Sequence, residues 1–305
     1  MTIVAKHLET TPWHARPEAG YAAGLWFLEG LARFAGRRVT HLCVAPIAAY
    51  FLLARSAERR ASREFLTRVL GRPAGILDSF RHFHTFARVT VDRAFLLSPR
   101  GHGIPIRVTG QKEMEATLDQ GRGCILLSAH FGSVEAARQA GLTNPALHLR
   151  LLLDRKLNYR LIDRLERVDP QFAANILDAA GEPLALTLRI GESLRAGEWI
   201  GWLGDRYRAD ERTIGVNFLG TEARFPASPF IIAHLFRVPV YLILASFDGR
   251  GYQIDVEEVA NDAALEERHR DAFVKERVAF FADRLERQVR AAPYNWFNFY
   301  DFWNA

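Results

Sequence analysis

Two hydrophobic rhythms divide the chain. Through residues 1–100 the apolar positions recur at helical spacing. In "YAAGLWFLEGLARFAGRR", Leu25, Leu28, Leu31 and Phe34 fall near one side, while Glu29, Arg33 and Arg37 fall on others. "VTHLCVAPIAAYFLLA", Val39 to Ala54, is more apolar. It is interrupted by His41 and Pro46 and is shorter than the roughly 20 residues that span a bilayer. These stretches read equally as core-packing amphipathic helices or as an interfacial platform, since Trp26, Phe27 and a basic fringe suit a headgroup boundary. "SAERRASREFLTRVLGRP" and "GILDSFRHFHTFARVTVDRAFLLS" predict two further helices, the first stopping at Gly71 with Pro73 just beyond.

After "SPRGHGIP" the rhythm changes. Short apolar runs alternate with helical patterns: "IPIRVTG", "CILLSAH", "ALHLRLLLD" and "EWIGWLGD" as strands, with "QKEMEATLDQG", "SVEAARQAG" and "PLALTLRIGESLRAG" as helices. "VPVYLILASFD" and "YQIDVEEV" add late strands. Alternation of this kind predicts an α/β fold with a mixed, largely parallel sheet flanked by helices. A long charged helix and the aromatic ending "YNWFNFYDFWNA" close the chain. No repeat or linker-like tract separates these parts. The expected organisation is one domain over 1–305, with a helical region at 1–100, an α/β core at 101–262 and a helix with aromatic tail at 263–305.

Composition narrows the classes. A hydrophobic content of 49% with 25% charged residues supports a substantial core and excludes disorder. The net charge of +5 is mildly basic and suits an anionic partner: a membrane surface, a phosphorylated cofactor or an acidic carrier protein. Lys6, Lys112, Lys156 and Lys275 are the only lysines, so arginine carries almost all of the positive charge. Cys43 and Cys124 lie far apart, which predicts neither a zinc site nor a disulfide scaffold. The N-terminus lacks the apolar core of a signal peptide, and a cytoplasmic protein is expected. "GHGIPI" precedes a strand instead of following one, and there is no Walker loop, H-E-x-x-H or G-x-S-x-G elbow. The arginines are scattered and no nucleic-acid module is present.

What remains is "CILLSAHFGSVEAARQAG", where an apolar run ends at His130 and Glu135 follows after four residues. On a single helix the two would point about 140° apart. If His130 ends a strand and Glu135 opens the next helix, the turn brings them together. Gly132 then permits the bend, and Ser133 serves as N-cap. Sites in α/β sheets gather beyond the carboxyl ends of strands. A carboxylate on one ring nitrogen would leave the other as general base. The structural alternative is a buried histidine capped by a helix-entry glutamate.

The H-x4-E pattern after an apolar strand resembles the H-x4-D/E signature of the lysophospholipid acyltransferase superfamily, in its lipid A biosynthesis branch. Gly204-Asp205-Arg206, followed by Phe218, Gly220, Ala223, Phe225 and Pro226, resembles that branch's Gly-Asp-Arg and F-x-G-x-x-A-x-F-P segments. The ending "YNWFNFYDFW" is similar to that of a short subgroup of predicted acyltransferases found beside genes for aryl polyene or other carrier-bound products. Two features depart from the branch: the N-terminal apolar region is short and broken, and Ser228 stands where glycine is frequent.

The resemblance implies acyl transfer from a thioester donor, acyl carrier protein or coenzyme A, to a hydroxyl or amine of a lipid-like acceptor. No cofactor or metal is implied. His130 would be the general base and Glu135 its orienting partner. Arg206 would bind phosphate with Asp205 fixing its fork, and Arg155 and Arg224 are weaker phosphate candidates. The aromatic tail would pack the core or cover an acyl groove. The expected location is peripheral, on the inner face of the cell membrane. Alternatives are an aryl polyene-type pathway, a thioester hydrolase using the same dyad, and a non-catalytic membrane-binding protein.

Overall fold

A computed structural model describes residues 22–97, 103–141, 147–261 and 269–304. Three helices open it: α1 (Ala22–Ala54), α2 (Ser56–Leu70) and α3 (Ile76–Leu96). The two expected apolar helices run together as α1, broken at Gly36, whose φ of 76° and ψ of 172° are non-helical. The side chains of Leu25, Trp26, Phe27, Leu28, Leu31 and Phe34 lie outside the described residues. Helix α2 ends on Gly71 in the left-handed conformation, as its sequence predicts.

Helix α1 lies antiparallel on α3. Its inner face buries Thr40, His41, Val44, Ala48 and Leu52, and its outer face exposes Val39, Leu42, Tyr50 and Leu53. The buried Asp92 of α3 fastens the pair. It accepts from Arg37 Nε and Nη2 at 2.7 Å each, from His41 Nε2 at 2.7 Å and from the Tyr252 hydroxyl at 2.9 Å. A buried carboxylate needs such partners to remain charged.

The sheet follows as β1 (Ile106–Thr109), α4 (Lys112–Asp119), β2 (Cys124–Ser128), α5 (Val134–Gly141) and β3 (Leu149–Leu153). Next come α6 (Tyr159–Val168), α7 (Pro170–Ala174), β4 (Ile176–Asp178), α8 (Pro183–Arg195) and β5 (Trp199–Leu203). A hairpin of β6 (Thr213–Phe218) and β7 (Thr221–Pro226) precedes α9 (Ser228–Phe236), β8 (Val240–Phe247), β9 (Tyr252–Ala260) and α10 (Arg270–Ala291). The seven-stranded sheet has the order β1-β9-β8-β2-β5-β3-β4. Every pairing in it is parallel except β8 with β9, which fits the expected mixed, largely parallel class.

Alternate residues of β2 serve two cores, as a doubly covered sheet requires. Ile125 and Leu127 join Ile190, Phe230, Val274 and Phe281. Cys124 joins Phe95, Ala136, Tyr252 and Ile254 on the opposite face. The hairpin accounts for the F-x-G-x-x-A-x-F-P pattern structurally. Leu219 and Gly220 both have positive φ, 53° and 82°, in the two-residue turn, and Phe218, Ala223 and Phe225 are buried.

Candidate active site

The site is set by strand register. In the parallel pair β2–β5, Ser128 lies opposite Leu203, and Gly204 N–H donates to the Ser128 carbonyl at 2.8 Å. Two residues beyond those partners stand His130 and Asp205, side by side at the carboxyl end of the sheet. Asp205 Oδ1 lies 2.9 Å from His130 Nδ1, and Oδ2 accepts the His130 backbone N–H at 3.0 Å. Oδ2 also accepts the Trp296 indole N–H at 2.9 Å.

Burial opposes ionisation of Asp205, but His130, Arg206 and the Trp296 donor outweigh it and hold the carboxyl at about 2. At neutral pH it is an acceptor only, so His130 Nδ1 carries the proton and Nε2 keeps its lone pair. Burial lowers the His130 pKa, Arg206 and Arg93 lower it further, and Asp205 opposes them. The imidazole is therefore neutral and basic at physiological pH. Its side chain is 30% exposed while that of Asp205 is 2% exposed, so the ring remains open to solvent although its carboxylate partner is not.

The expected His130–Glu135 dyad does not form. Glu135 sits in the first turn of α5, as predicted, but its Oε1 pairs with Arg93 Nε at 2.7 Å and its Oε2 accepts the Ser133 hydroxyl at 3.1 Å. The physical reason is direction. Gly132 at φ 59° turns the chain so that α5 starts against α3, where Arg93 meets the carboxylate, while the ring of His130 leans toward β5. Gly132 is required here, since a Cβ would lie 1.6 Å from the Ala245 carbonyl oxygen. Ser133 is the N-cap foreseen: its hydroxyl accepts the Ala136 N–H at 3.1 Å.

His130 opens into a cavity of about 1330 Å³, larger than the usual small-molecule pocket. Its walls come from both faces of the sheet: Leu126, Leu149 and Ile243 on the α5 side, Leu152, Leu186 and Trp202 on the other. Gly201 lines it at mid-strand, where a Cβ would press on Leu151. Arg93, Arg138, Lys156, Arg206, Arg208 and Arg212 line it together with six acidic residues, Glu58, Glu115, Glu135, Asp154, Asp210 and Glu211, among walls that are mostly apolar. Among the described residues no group of three His, Cys, Asp or Glu side chains converges as metal ligands would.

Residues 17–304 match the family described as bacterial lipid A biosynthesis acyltransferase. The chain belongs to that family. No curated protein matches it. Membership makes this an acyltransferase of the lipid A type.

Within this acyltransferase the other candidates separate. Arg206 lines the cavity, donates to the Phe297 carbonyl at 3.2 Å and lies 5.2 Å over the Tyr300 ring. Asp205 hydrogen-bonds His130 and Trp296, and the Arg206 charge helps hold its carboxyl below the usual range. Arg155 is outside the cavity lining and pairs with Glu166 at 3.0 Å. Arg224 is exposed on β7, where it donates to Thr213. The tail divides: Trp296 and Phe302 pack the core, and Phe297, Phe299 and Tyr300 line the cavity. Sequence reading missed Arg93 as the partner of Glu135 and Trp296 as a donor to Asp205. The one available signal was that Asp205, like His130, stands two residues past a strand.

Proposed function

We propose that this protein transfers an acyl group from a thioester donor, on acyl carrier protein or coenzyme A, to a hydroxyl or amine of a lipid-like acceptor, with His130 as general base. The observation that carries the reading is an imidazole whose Nδ1 lies 2.9 Å from a buried carboxylate and which lines a large, mostly apolar cavity. The acceptor's proton passes to His130 Nε2 as its oxygen or nitrogen attacks the thioester carbonyl. The C–S bond then breaks, and the departing thiolate takes the proton back from His130. The thioester is already activated, so no acyl-enzyme is needed.

Asp205 takes the orienting role first expected of Glu135, fixing the tautomer and stabilising the imidazolium that forms. Glu135 acts through Arg93, which it pins beside the cavity. Arg93 and Arg206 both depress the His130 pKa, so both place positive charge near the reacting atoms. There they stabilise the tetrahedral oxyanion or bind a phosphate of donor or acceptor.

No single helix among the described residues is long and apolar enough to cross a membrane; a bent pair, Gly36–Ala54 with Ser56–Leu70 at 99°, passes that test only together. The exposed apolar face of α1 supports peripheral contact with the inner face of the cell membrane.

The test uses purified protein with a radiolabelled acyl thioester, with and without a lipid acceptor. Acceptor-dependent acylation that is lost in H130A is expected. Release of free fatty acid at the same rate without acceptor would favour a thioester hydrolase. Acylation of a carrier-bound aryl product in place of a lipid would favour the aryl polyene-type pathway.

A further inference from the structure

We infer that Trp296, in the C-terminal tail, is a positioning residue of the acyl-transfer centre. Its indole N–H fixes Asp205 in the orientation that presents Oδ1 to His130. The inference rests on His130 acting as the base.

Asp205 is a buried carboxylate on the backbone turn after β5, and rotation about either of its two side-chain torsions could carry its oxygens away from the ring. Two donors hold Oδ2: the His130 backbone N–H at 3.0 Å and the Trp296 indole N–H at 2.9 Å. The first belongs to the same loop as the histidine. The second ties the carboxylate to a third part of the chain, 91 residues away.

The indole is itself immobilised. Phe65, Phe218 and Phe302 meet its ring with centroids 5.1, 5.3 and 4.9 Å away, at interplanar angles of 77°, 76° and 83°. Its backbone is fastened as well. Trp296 bridges Phe131, and its carbonyl accepts from the buried His82 Nε2 at 2.9 Å. His82 Nδ1 accepts in turn from the Ser62 hydroxyl at 2.9 Å. On either side, Gly132 N–H donates to the Asn295 carbonyl and Phe297 N–H to the His130 carbonyl, each at 2.8 Å. The tail thus grips the His130 loop through its backbone and the Asp205 carboxylate through one side chain. Phenylalanine would keep a ring in the nest but, being smaller, would leave part of it empty as well as removing the donor.

The experiment replaces that donor alone. Benzothienylalanine, which has sulfur in place of the indole N–H, is introduced at position 296 by site-specific incorporation, beside W296F. For a folded isosteric variant, kcat is expected to fall about tenfold or more, the worth of one hydrogen bond to a charged group. KM should stay within about twofold, since the donor reaches no substrate. Without that donor the carboxylate is no longer held on the ring, and the support it gives the imidazolium weakens. The acid limb of kcat/KM and the NMR titration of His130 should therefore both move to lower pH, the direction of D205N.

Unchanged kcat and an unchanged His130 titration in the isosteric variant would overturn the inference and leave Trp296 as core packing. Full turnover in H130A would instead sink the base reading. The His130 titration still reports on the Trp296 contact in that case, because it does not depend on activity.

Discussion

Glu135 forms its ion pair with Arg93, 2.7 Å from Oε1 to Nε, while His130 gives its Nδ1 to Asp205, 75 residues away in sequence. The two acidic residues therefore do different work, and substitution should separate them. D205N should lower kcat by about 10²- to 10⁴-fold, the range typical of a disabled general base. E135Q should act through Arg93, with a smaller loss and a weaker affinity for the anionic substrate. Steady-state kinetics on both variants decides it, and equal losses with equal KM would contradict the assignment.

The pH profile carries signs that follow from the charges around His130. Its pKa lies below the ordinary 6.5 because burial and then Arg206 disfavour the imidazolium. The base is active when neutral, so kcat/KM should rise with pH to a plateau reached below the value for a free histidine. R206Q removes a cation and should shift that limb to higher pH. D205N removes an anion and should shift it lower. Asp205, at about 2, stays ionised across the whole range.

Much of this was legible in the sequence because it is local. Apolar alternation located β2, β3, β5, β8 and β9, and the Gly132–Ser133 pair announced the turn and cap that follow β2. What was not legible is lateral. H-x4-E suggested a dyad because sequence nearness stood in for spatial nearness, whereas the register of Ser128 with Leu203 decides which carboxylate meets the ring. The short β4 and the β6–β7 hairpin were missed for a related reason. "FLGTEARFP" presents itself as a family mark, and only the fold shows its Gly220 in a tight turn and its phenylalanines in the core.

His82 supplies an acid-stability prediction. Burial pushes its pKa to about 4, against an ordinary 6.5, and its only compensation is the Trp296 carbonyl. Between those values the unfolded chain binds a proton that the folded protein refuses, so stability falls as pH drops from about 6.5 to 4. The full effect is roughly 3 kcal/mol. The lowered pKa values of His130 and His84 add to the same slope, while Asp205, held at about 2 against an ordinary 3.8, contributes chiefly below pH 4. Thermal melts from pH 7 to 4 should show a flatter decline for H82Q than for the parent, and parallel curves would refute the assignment.

Gly132 should tolerate no side chain. Its φ of 59° disfavours any L-residue, and a Cβ would collide with the Ala245 backbone instead of a side chain that could move aside. G132A should therefore lower the melting temperature and activity together, whereas G220A, at positive φ but with open space around it, should lose stability only. Comparing melts and turnover of the two variants checks this.

The outer face of α1 gives the last prediction. Leu42 and Leu53 are 77% and 74% exposed, with Val39 and Tyr50 between and beside them, while Arg38 and Arg55 flank the stripe. Leaving such side chains in water forgoes about 1.5–3 kcal/mol apiece if a bilayer interface can bury them. The arginines add an attraction to anionic lipid that salt screens. The parent protein should float with anionic liposomes at low salt and less at high salt, and L42D/L53D should not float at all. That double variant should keep its turnover on a detergent-dispersed acceptor, because neither leucine lines the cavity. If the parent never floats, the acceptor reaches His130 from solution, and a carrier-bound product becomes the better reading of the cavity than a membrane lipid.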